Sequence, residues 1–483
     1  AILTNTPAEN LAYIVLKAES ETQPLRLASP QNISESIPIQ RIYTRALFKK
    51  VYNERIPLIC EKFAEGNWVL GMHAEADADE NALALIQAVR IHYLNDYRDA
   101  WQNAINKLRY TPTNRISQYF TLVNTLNTPQ SPLIKFMTTI QDNTRENKVR
   151  EFNTIVSDYF APIHNLSFDT KDDTTQIALH KLAEYYRPIA TADDPTEAAY
   201  NFTKARMSHT NQSDALNNLY QVAAESPEPL RQYLTGIADN GWQLLITASK
   251  SHLDTVWTQY VLPEYHRHIN ERYPIFTTAS NELTLDEFGK FFAPNGVMDT
   301  FFNHYVKPFI DDKQYTWNWK TVNGQRVELS SDALGVFIRA RLIRQMFFTE
   351  SSKQPRAEFM LTPVALHDDI KNFSLTLNGQ KVSYLGPDQP GMPMSWPGPS
   401  PTGVSLEMAN NIDQTSKLSY PGVWGWFHLL DKAVLNKSEE NQTYQVVFKF
   451  NDQQVEYRLE TSHDINPFTP GMLSQFRCPK TLL

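Results

Sequence analysis

The chain has 483 residues, 41% hydrophobic and 20% charged, a length that exceeds what one hydrophobic core usually organises, so two to four domains are expected. A formal net charge of −8, with no basic stripe to release counterions, argues against a nucleic-acid partner. No apolar run approaches the roughly 18 to 20 residues needed to span a bilayer, and "AILTNTPAEN" lacks the features of a signal peptide, a beginning that suits a piece of a longer protein whose membrane or targeting segment lies upstream.

The first half reads as helix. In "ENALALIQAVRIHYLNDYRDAWQNAINKL", Ile86, Val89, Tyr93, Tyr97, Trp101, Ile105 and Leu108 recur at steps of three and four and so share one face. "SPLIKFMTTI" begins another helix, with Ser131 as N-cap, Pro132 at the first position and Leu133, Phe136, Met137 and Ile140 in a stripe. "TTQIALHKLAEYY" continues the pattern, as does the run from "RQYLTGIADNGWQLLITASK" to "VWTQYVLPEYHRHI", broken or kinked near Pro263. Cys60 and Cys478 are too few for a disulfide framework or a thiolate metal site; whether they pair is left open by spacing alone.

"FFAPNGVMDTFFNHYVKPFIDD", residues 291 to 312, reads as packing: two helices flank a Pro-Asn-Gly turn, with Leu285, Phe288, Phe291 and Phe292 before it and Met298, Phe301, Phe302, Tyr305 and Phe309 after it. Asp299 is placed to cap the second helix. Near residue 316 the period changes, and "YTWNWKTVNGQRVEL" sets two alternating runs around Asn323-Gly324, a hairpin signal. A helix follows at "SDALGVFIRARLIRQMFF", with Leu334, Phe337, Ile338, Leu342 and Ile343 inward and Arg339, Arg341 and Arg344 on a solvated face. From about 356, "AEFMLT", "FSLTLNGQKVSYL", "GVSLEM", "TYQVVFKF" and "QVEYRLE" give about six strands, with turns at Asn378-Gly379 and Asn451-Asp452 and one short helix, "GVWGWFHLLDKA". The Pro/Gly-rich "LGPDQPGMPMSWPGPSPTG" reads as a surface loop. The fold class is therefore α+β and multidomain: a long helical part over 1–275, a helical and hairpin connector over 276–355, a β-sandwich-like domain over 356–460 and a tail over 461–483.

Catalytic constellations are not legible. The only Gly-Lys, Gly289-Lys290, lacks the rest of a phosphate loop. His266 and His268 lie two apart, on different faces of a helix, a poor metal pair. Ser405 in "GVSLEM" lacks the second glycine of a nucleophile elbow and reads as a strand residue. "ALHDDI" reads as a polar turn, and adjacent pairs such as Asp311-Asp312 and Asp368-Asp369 point apart. "LGVFIRARLI" loosely resembles the arginine-bearing helix of OmpA-like peptidoglycan-binding domains, without the surrounding residues of that motif.

"LDEFGKFFAPNGVMDTFFNHYVKPFID" closely resembles the signature of the IcmF/TssM family, inner-membrane scaffolds of the type VI secretion system, carried here by Pro294, Gly296, Asp299, Phe301 and Phe302. "EYHRHINERYPIF", "FIRARLIRQMFF", "SWPGPSP" and "GVWGWFHLLDKA", the last with Trp424 and Phe427, resemble further family segments in the same order. Ala293 and Val423 depart from the common glycine and proline. The resemblance implies a non-enzymatic periplasmic part of an inner-membrane protein with no cofactor or metal. It implies a bridge to an outer-membrane lipoprotein (TssJ), work with a second inner-membrane protein (TssL), and self-association into a ring. The alternative is a periplasmic peptidoglycan-binding or cell-wall-processing protein. For the lipoprotein, the loop "GPDQPGMPMSWPGPSP" offers Met392, Met394 and Trp396 on a proline-stiffened frame. Trp396 reads either as a docking residue or as a ring buried under its own domain, with the methionines and Tyr384 as the more exposed candidates.

Overall fold

The computed structural model describes residues 7–20, 23–31, 35–65, 78–128, 130–168, 173–208, 214–311, 317–366, 369–438, 442–451 and 453–483. The chain forms two compact units, Ala1–Ala248 and Ser249–Leu483.

The first unit is helical. Its longest complete helix, Ala78–Ile105, buries Ile86, Val89, Tyr93, Tyr97, Trp101 and Ile105 along one stripe, and Leu108 just beyond its end is buried too. Ser131 caps Pro132–Thr144 as its position before Pro132 requires, accepting from the Leu133 amide at 3.2 Å. Asp173 and Asp214 do the same for Thr174–Ala190 and Ala215–Glu225. A small hairpin, β1 (Leu25–Ala28) against β2 (Ser36–Ile39), interrupts the helices. It was not anticipated, because four-residue strands are too short for alternation to stand out.

Tyrosine hydroxyls seal this core. Tyr93 donates to the Ile42 carbonyl (2.6 Å), Tyr97 to Asn143 (2.7 Å), Tyr119 to Ile237 (2.8 Å), and the Trp101 indole to Tyr43 (2.7 Å). Gly241 makes room for one of them: a Cβ there would collide with the hydroxyls of Tyr119 and Tyr186. At a half-exposed edge, Asp96 accepts from Lys17 (2.6 Å), Tyr13 (2.8 Å) and Tyr43 (3.1 Å).

In the second unit, the expected irregularity near Pro263 is two five-residue π-helical turns, Trp257–Val261 and Tyr265–Ile269, flanking the residue that lacks a donor. Helices Leu285–Phe292, Val297–Phe301 and Ser331–Phe347 follow. The expected hairpin is mostly absent. Asn323 and Gly324 turn at φ 48° and 72°, but only the Val322–Gln325 bridge forms around them. Instead β3 (Ile310–Asp311) pairs with β4 (Asn318–Trp319), because Phe309 and Ile310 are buried and hold that strand in place.

A β-sandwich comes next. Strands β5 (Ala357–Leu366), β6 (Ile370–Leu377), β7 (Gln380–Ser383), β8 (Met392–Trp396), β9 (Gly403–Asn410), β10 (Thr415–Pro421), β11 (Val434–Lys437), β12 (Thr443–Phe450) and β13 (Gln453–Glu460) form two antiparallel sheets. Their orders are β11-β12-β13-β5-β8 and β10-β9-β6-β7. Leu375, Leu377, Leu406 and Met408 of one sheet are buried, as are Val446, Phe448, Tyr457 and Leu459 of the other. Phe373 meets Tyr457 edge-on at 5.3 Å across the gap. Nine strands stand where about six were expected. The additions are β8, concealed by its prolines, and β10 and β11, half-polar edge strands. Asp452 of the last turn lies outside the described residues, while Asn451 has φ 49°.

The tail, 461–483, returns to the helices of its own unit. Phe476 is fully buried and 4.9 Å from the Phe292 ring. The Trp257 indole donates to Pro479 (2.9 Å), and the Leu482 amide donates to Asp254 (2.7 Å). Cys60 and Cys478 are free thiols, and burial pushes the pKa of both up.

Candidate functional site

The residues carrying the family signature converge on the junction between helices and sandwich within the second unit. Helix Leu285–Phe292 starts with a capping box: Thr284 accepts from the Glu287 amide and the Glu287 carboxylate accepts from the Thr284 amide, both at 3.1 Å. The sequence carries this signal as Thr-Leu-Asp-Glu, although the fold was not read from it. Burial opposes ionisation of Glu287, but hydrogen bonds from Thr284 and His268 outweigh it and hold the carboxyl below its usual range.

The helix ends at Ala293, and the chain reverses through Pro294, Asn295 at φ 60° and Gly296. Gly296 has an ordinary extended backbone; glycine is needed because a Cβ would sit 2.8 Å from the carbonyl oxygens of Ala293 and Lys290. It is also the N-cap of Val297–Phe301, which corrects the expectation for Asp299. Asp299 lies one turn into the helix, accepts from the Asn295 amide (2.8 Å) and the Asn303 side chain (2.9 Å), and pairs with Arg344. The aspartate thus locks the turn and ties it to Ser331–Phe347.

Phe288 packs on Trp424 (5.4 Å) and Phe347 (5.2 Å), Trp424 on Trp396 (4.6 Å), and Phe427 on Trp396 (5.1 Å). The Trp424 indole donates to Leu283 (2.6 Å) and that of Trp396 to Val423 (2.7 Å). Each buried ring removes roughly 150 to 250 Å² from water, so this cluster is a main adhesive between the two layers. Phe301 is buried between Trp257 and Phe337, whereas Phe302 is half-buried and stacked on Trp317 at 4.5 Å.

The docking candidates divide. Trp396 is fully buried, and Met394 is buried as well, contrary to the exposure expected of it. The reason is strand β8: alternation along it puts Met392, Met394 and Trp396 on one face, where Met394 and Trp396 are buried and Met392, at the strand's start, is half-buried, and it puts exposed Pro393 and half-buried Ser395 on the other. Tyr384 is half-buried against Phe373 (5.0 Å). A shallow groove of about 570 Å³, lined by Phe359, Met360, Pro393 and Met394 among others, runs beside β8. Among the described residues, the most exposed large apolar side chains, missed in the sequence, are Leu385 (84%) and Ile412 (73%). Pairing of Ser383 with Ser374 and of Asn372 with Ala409 places both at one end of the four-stranded sheet.

Edge strand β8 has the outward amide and carbonyl of Ser395 occupied. The Gln380 amide donates to the Ser395 carbonyl (2.7 Å) and accepts from the Ser395 amide (3.0 Å), while Pro393 has no donor.

Other candidates fall into place as structure. Arg339 donates to the Gln475 carbonyl (2.8 Å) and Arg344 pairs with Asp299, both half-buried, whereas Arg341 is exposed above the Trp317 ring (5.0 Å), so the expected solvated face holds for Arg341 and gives way to partners at the other two. Ile338, expected to face inward, is exposed. His268 lies 3.3 Å from Glu287 and 3.5 Å from Glu264. Ser405 is in β9. Asp312, His367 and Asp368 lie outside the described residues. Among the described residues, no group of three or more His, Cys, Asp or Glu is placed to hold a metal ion.

Three family models match in order along the chain. "IcmF-related: Intracellular multiplication and human macrophage-killing" covers 5–145, "Type VI secretion protein IcmF helical domain" 247–352, and "Type VI secretion protein IcmF C2-like domain" 359–463. The chain belongs to the IcmF/TssM family. A curated relative, type VI secretion system component TssM1 of Pseudomonas aeruginosa, is 24% identical over 97% of this chain, which spans about half (46%) of that protein's length. The fold is shared with a chain of a type VI secretion system membrane core complex, at 18% identity, a TM-score of 0.71 and 99% coverage of both chains. It is shared also with a chain of a type VI membrane complex, at 18% identity and a TM-score of 0.66, covering 97% of this chain and 93% of that one.

Proposed function

We propose that this chain is the periplasmic, non-enzymatic part of an inner-membrane protein of the type VI secretion membrane complex. It bridges to the outer-membrane lipoprotein TssJ, works beside the inner-membrane protein TssL and self-associates into the ring of the trans-envelope channel. The observation that carries this reading is the ordered match of all three family segments over a fold shared end to end with a membrane core complex chain. The packing agrees: the signature residues are spent on an aromatic junction and a locked turn, which suits a part that transmits load. Among the described residues no helix is long and apolar enough to cross a membrane, so anchoring falls to segments outside them.

The sandwich docks the lipoprotein, and the contact is built from exposed Leu385 and Ile412 at one sheet end, with half-buried Tyr384 beside Leu385 in the chain, and from half-buried Met392 of β8 with exposed Met360 of β5. Trp396 and Met394 support the surface from beneath. The test is co-purification of the chain with tagged TssJ. Leu385→Glu with Ile412→Glu is expected to abolish recovery at an unchanged melting temperature; undiminished recovery would remove the sandwich end from the interface.

A further inference from the structure

We propose that the cavity beneath the family turn is a binding site for a peptide carboxylate carried beside an apolar side chain. The cavity, about 140 Å³, lies between Val297–Phe301 and Ser331–Phe347. An apolar cavity of about 150 Å³ admits a benzene-sized group, so one ring or branched side chain fits. Part of its wall is aromatic: Phe302 and Trp317 stack at 4.5 Å with their planes 9° apart, and Phe337 packs on Phe302 at 5.8 Å.

Its polar lining is cationic in a chain of net charge −8: Lys307, Arg341 and Arg344 face one carboxylate, Asp299. That carboxylate is already engaged, by Arg344, the Asn303 side chain and the Asn295 amide. Among the described residues, neither the Arg341 nor the Lys307 side chain has a hydrogen bond or an ion pair; Arg341 has only the Trp317 face. The guanidinium lies over the ring with its N–H donors unpaired by protein, and such a group can receive a carboxylate in a bidentate way. Lys307 supplies a second positive charge, and the aromatic wall takes the neighbouring side chain. Both side chains are exposed, so water solvates them in the free protein, and an acid arriving from outside can take its place beside the aromatic wall.

The experiment is calorimetric titration of the whole 483-residue chain with two peptides, acetyl-Ala-Ala-Phe ending in a free carboxylate and the same peptide ending in a carboxamide, and with glutarate as a free dicarboxylate. The free-acid peptide is expected to bind at least tenfold more tightly than the amide and than glutarate. Arg341→Gln and Lys307→Gln are each expected to weaken it at least tenfold with an unchanged melting temperature, while Arg339→Gln, which lies outside the cavity, binds as the parent does. Equal binding of acid and amide, or parental affinity in Arg341→Gln, overturns the site. Glutarate binding as tightly as the peptide overturns the peptide assignment in favour of a free small acid.

Discussion

The two units bury large aromatic side chains by different chemistry. In 1–248 tyrosines outnumber phenylalanines in the core, and their hydroxyls reach main-chain carbonyls on other segments, as Tyr93 does Ile42 and Tyr119 does Ile237. In 249–483 the joint between helices and sandwich is built from phenylalanine and tryptophan faces, from Phe288 through Trp424 and Trp396 to Phe427. A hydroxyl must point at its acceptor, so it fixes how far one helix has slid along another. Ring-on-ring contact covers more apolar area but sets position by shape. The first unit takes its register from polar bonds at helix seams, the second its cohesion from area.

If that contrast is right, truncation should hurt most in the second unit. Trp424→Ala, which removes a fully buried ring and the bond to Leu283, is expected to cost about 3 to 5 kcal/mol in urea unfolding. A loss below about 1 kcal/mol would mean that the cluster is not one continuous core. Phe301→Ala should cost about as much, and Phe302→Ala clearly less because that ring is half-exposed; equal losses would contradict the burial difference.

In the first unit the sensitive change is an addition. Gly241→Ala forces a methyl against Tyr119 and Tyr186 and is expected to destabilise by about 1 to 3 kcal/mol, although alanine is the better helix former. Tyr97→Phe, which deletes only the hydroxyl bonded to Asn143, should cost about 1 kcal/mol.

The smallest effect is that of pH. Burial works against ionisation of Asp96, but hydrogen bonds from Lys17 and Tyr13 outweigh it and hold the carboxyl below the ordinary value of 3.8. A folded-state pKa below the unfolded one gives stability that is complete above about pH 3.8 and is lost as pH falls through the folded value. Asp96→Asn should flatten that part of the acid limb, and an unchanged limb would show that the Lys17 network contributes nothing. Glu287, lowered in the same sense, leaves a remaining slope in the second unit.

Much of the fold was legible because its periods are clean. The stripe from Ile86 to Leu108 needs no tertiary knowledge, nor does the Ser131-Pro132 start. The strands missed were those whose local chemistry argues against a strand: β8 contains Pro393, and β10 has no fully buried residue to mark a face. The hairpin expected at Asn323-Gly324 shows the reverse failure. The turn was sound, but tertiary packing of Phe309 and Ile310 drew Trp319 to another partner. For the candidate site, the signature residues could be found in the sequence, yet their meeting at one junction could not, since Phe288 and Trp424 are far apart along the chain. Met394 was misjudged because a proline-rich stretch gave no alternation from which to read its face.

The amide of Gln380 imitates one residue of a missing neighbour strand, giving and taking the two bonds that such a strand would exchange with Ser395. A sheet edge with open main-chain groups is a template: any extended segment, including one from another copy, can extend it, and copies can go on adding without end. The self-association proposed above would bring many copies together and concentrate that hazard. With the position occupied from within and Pro393 beside it, further growth of the sheet stops there, and whatever meets this side of the sandwich is chosen by side-chain shape and charge.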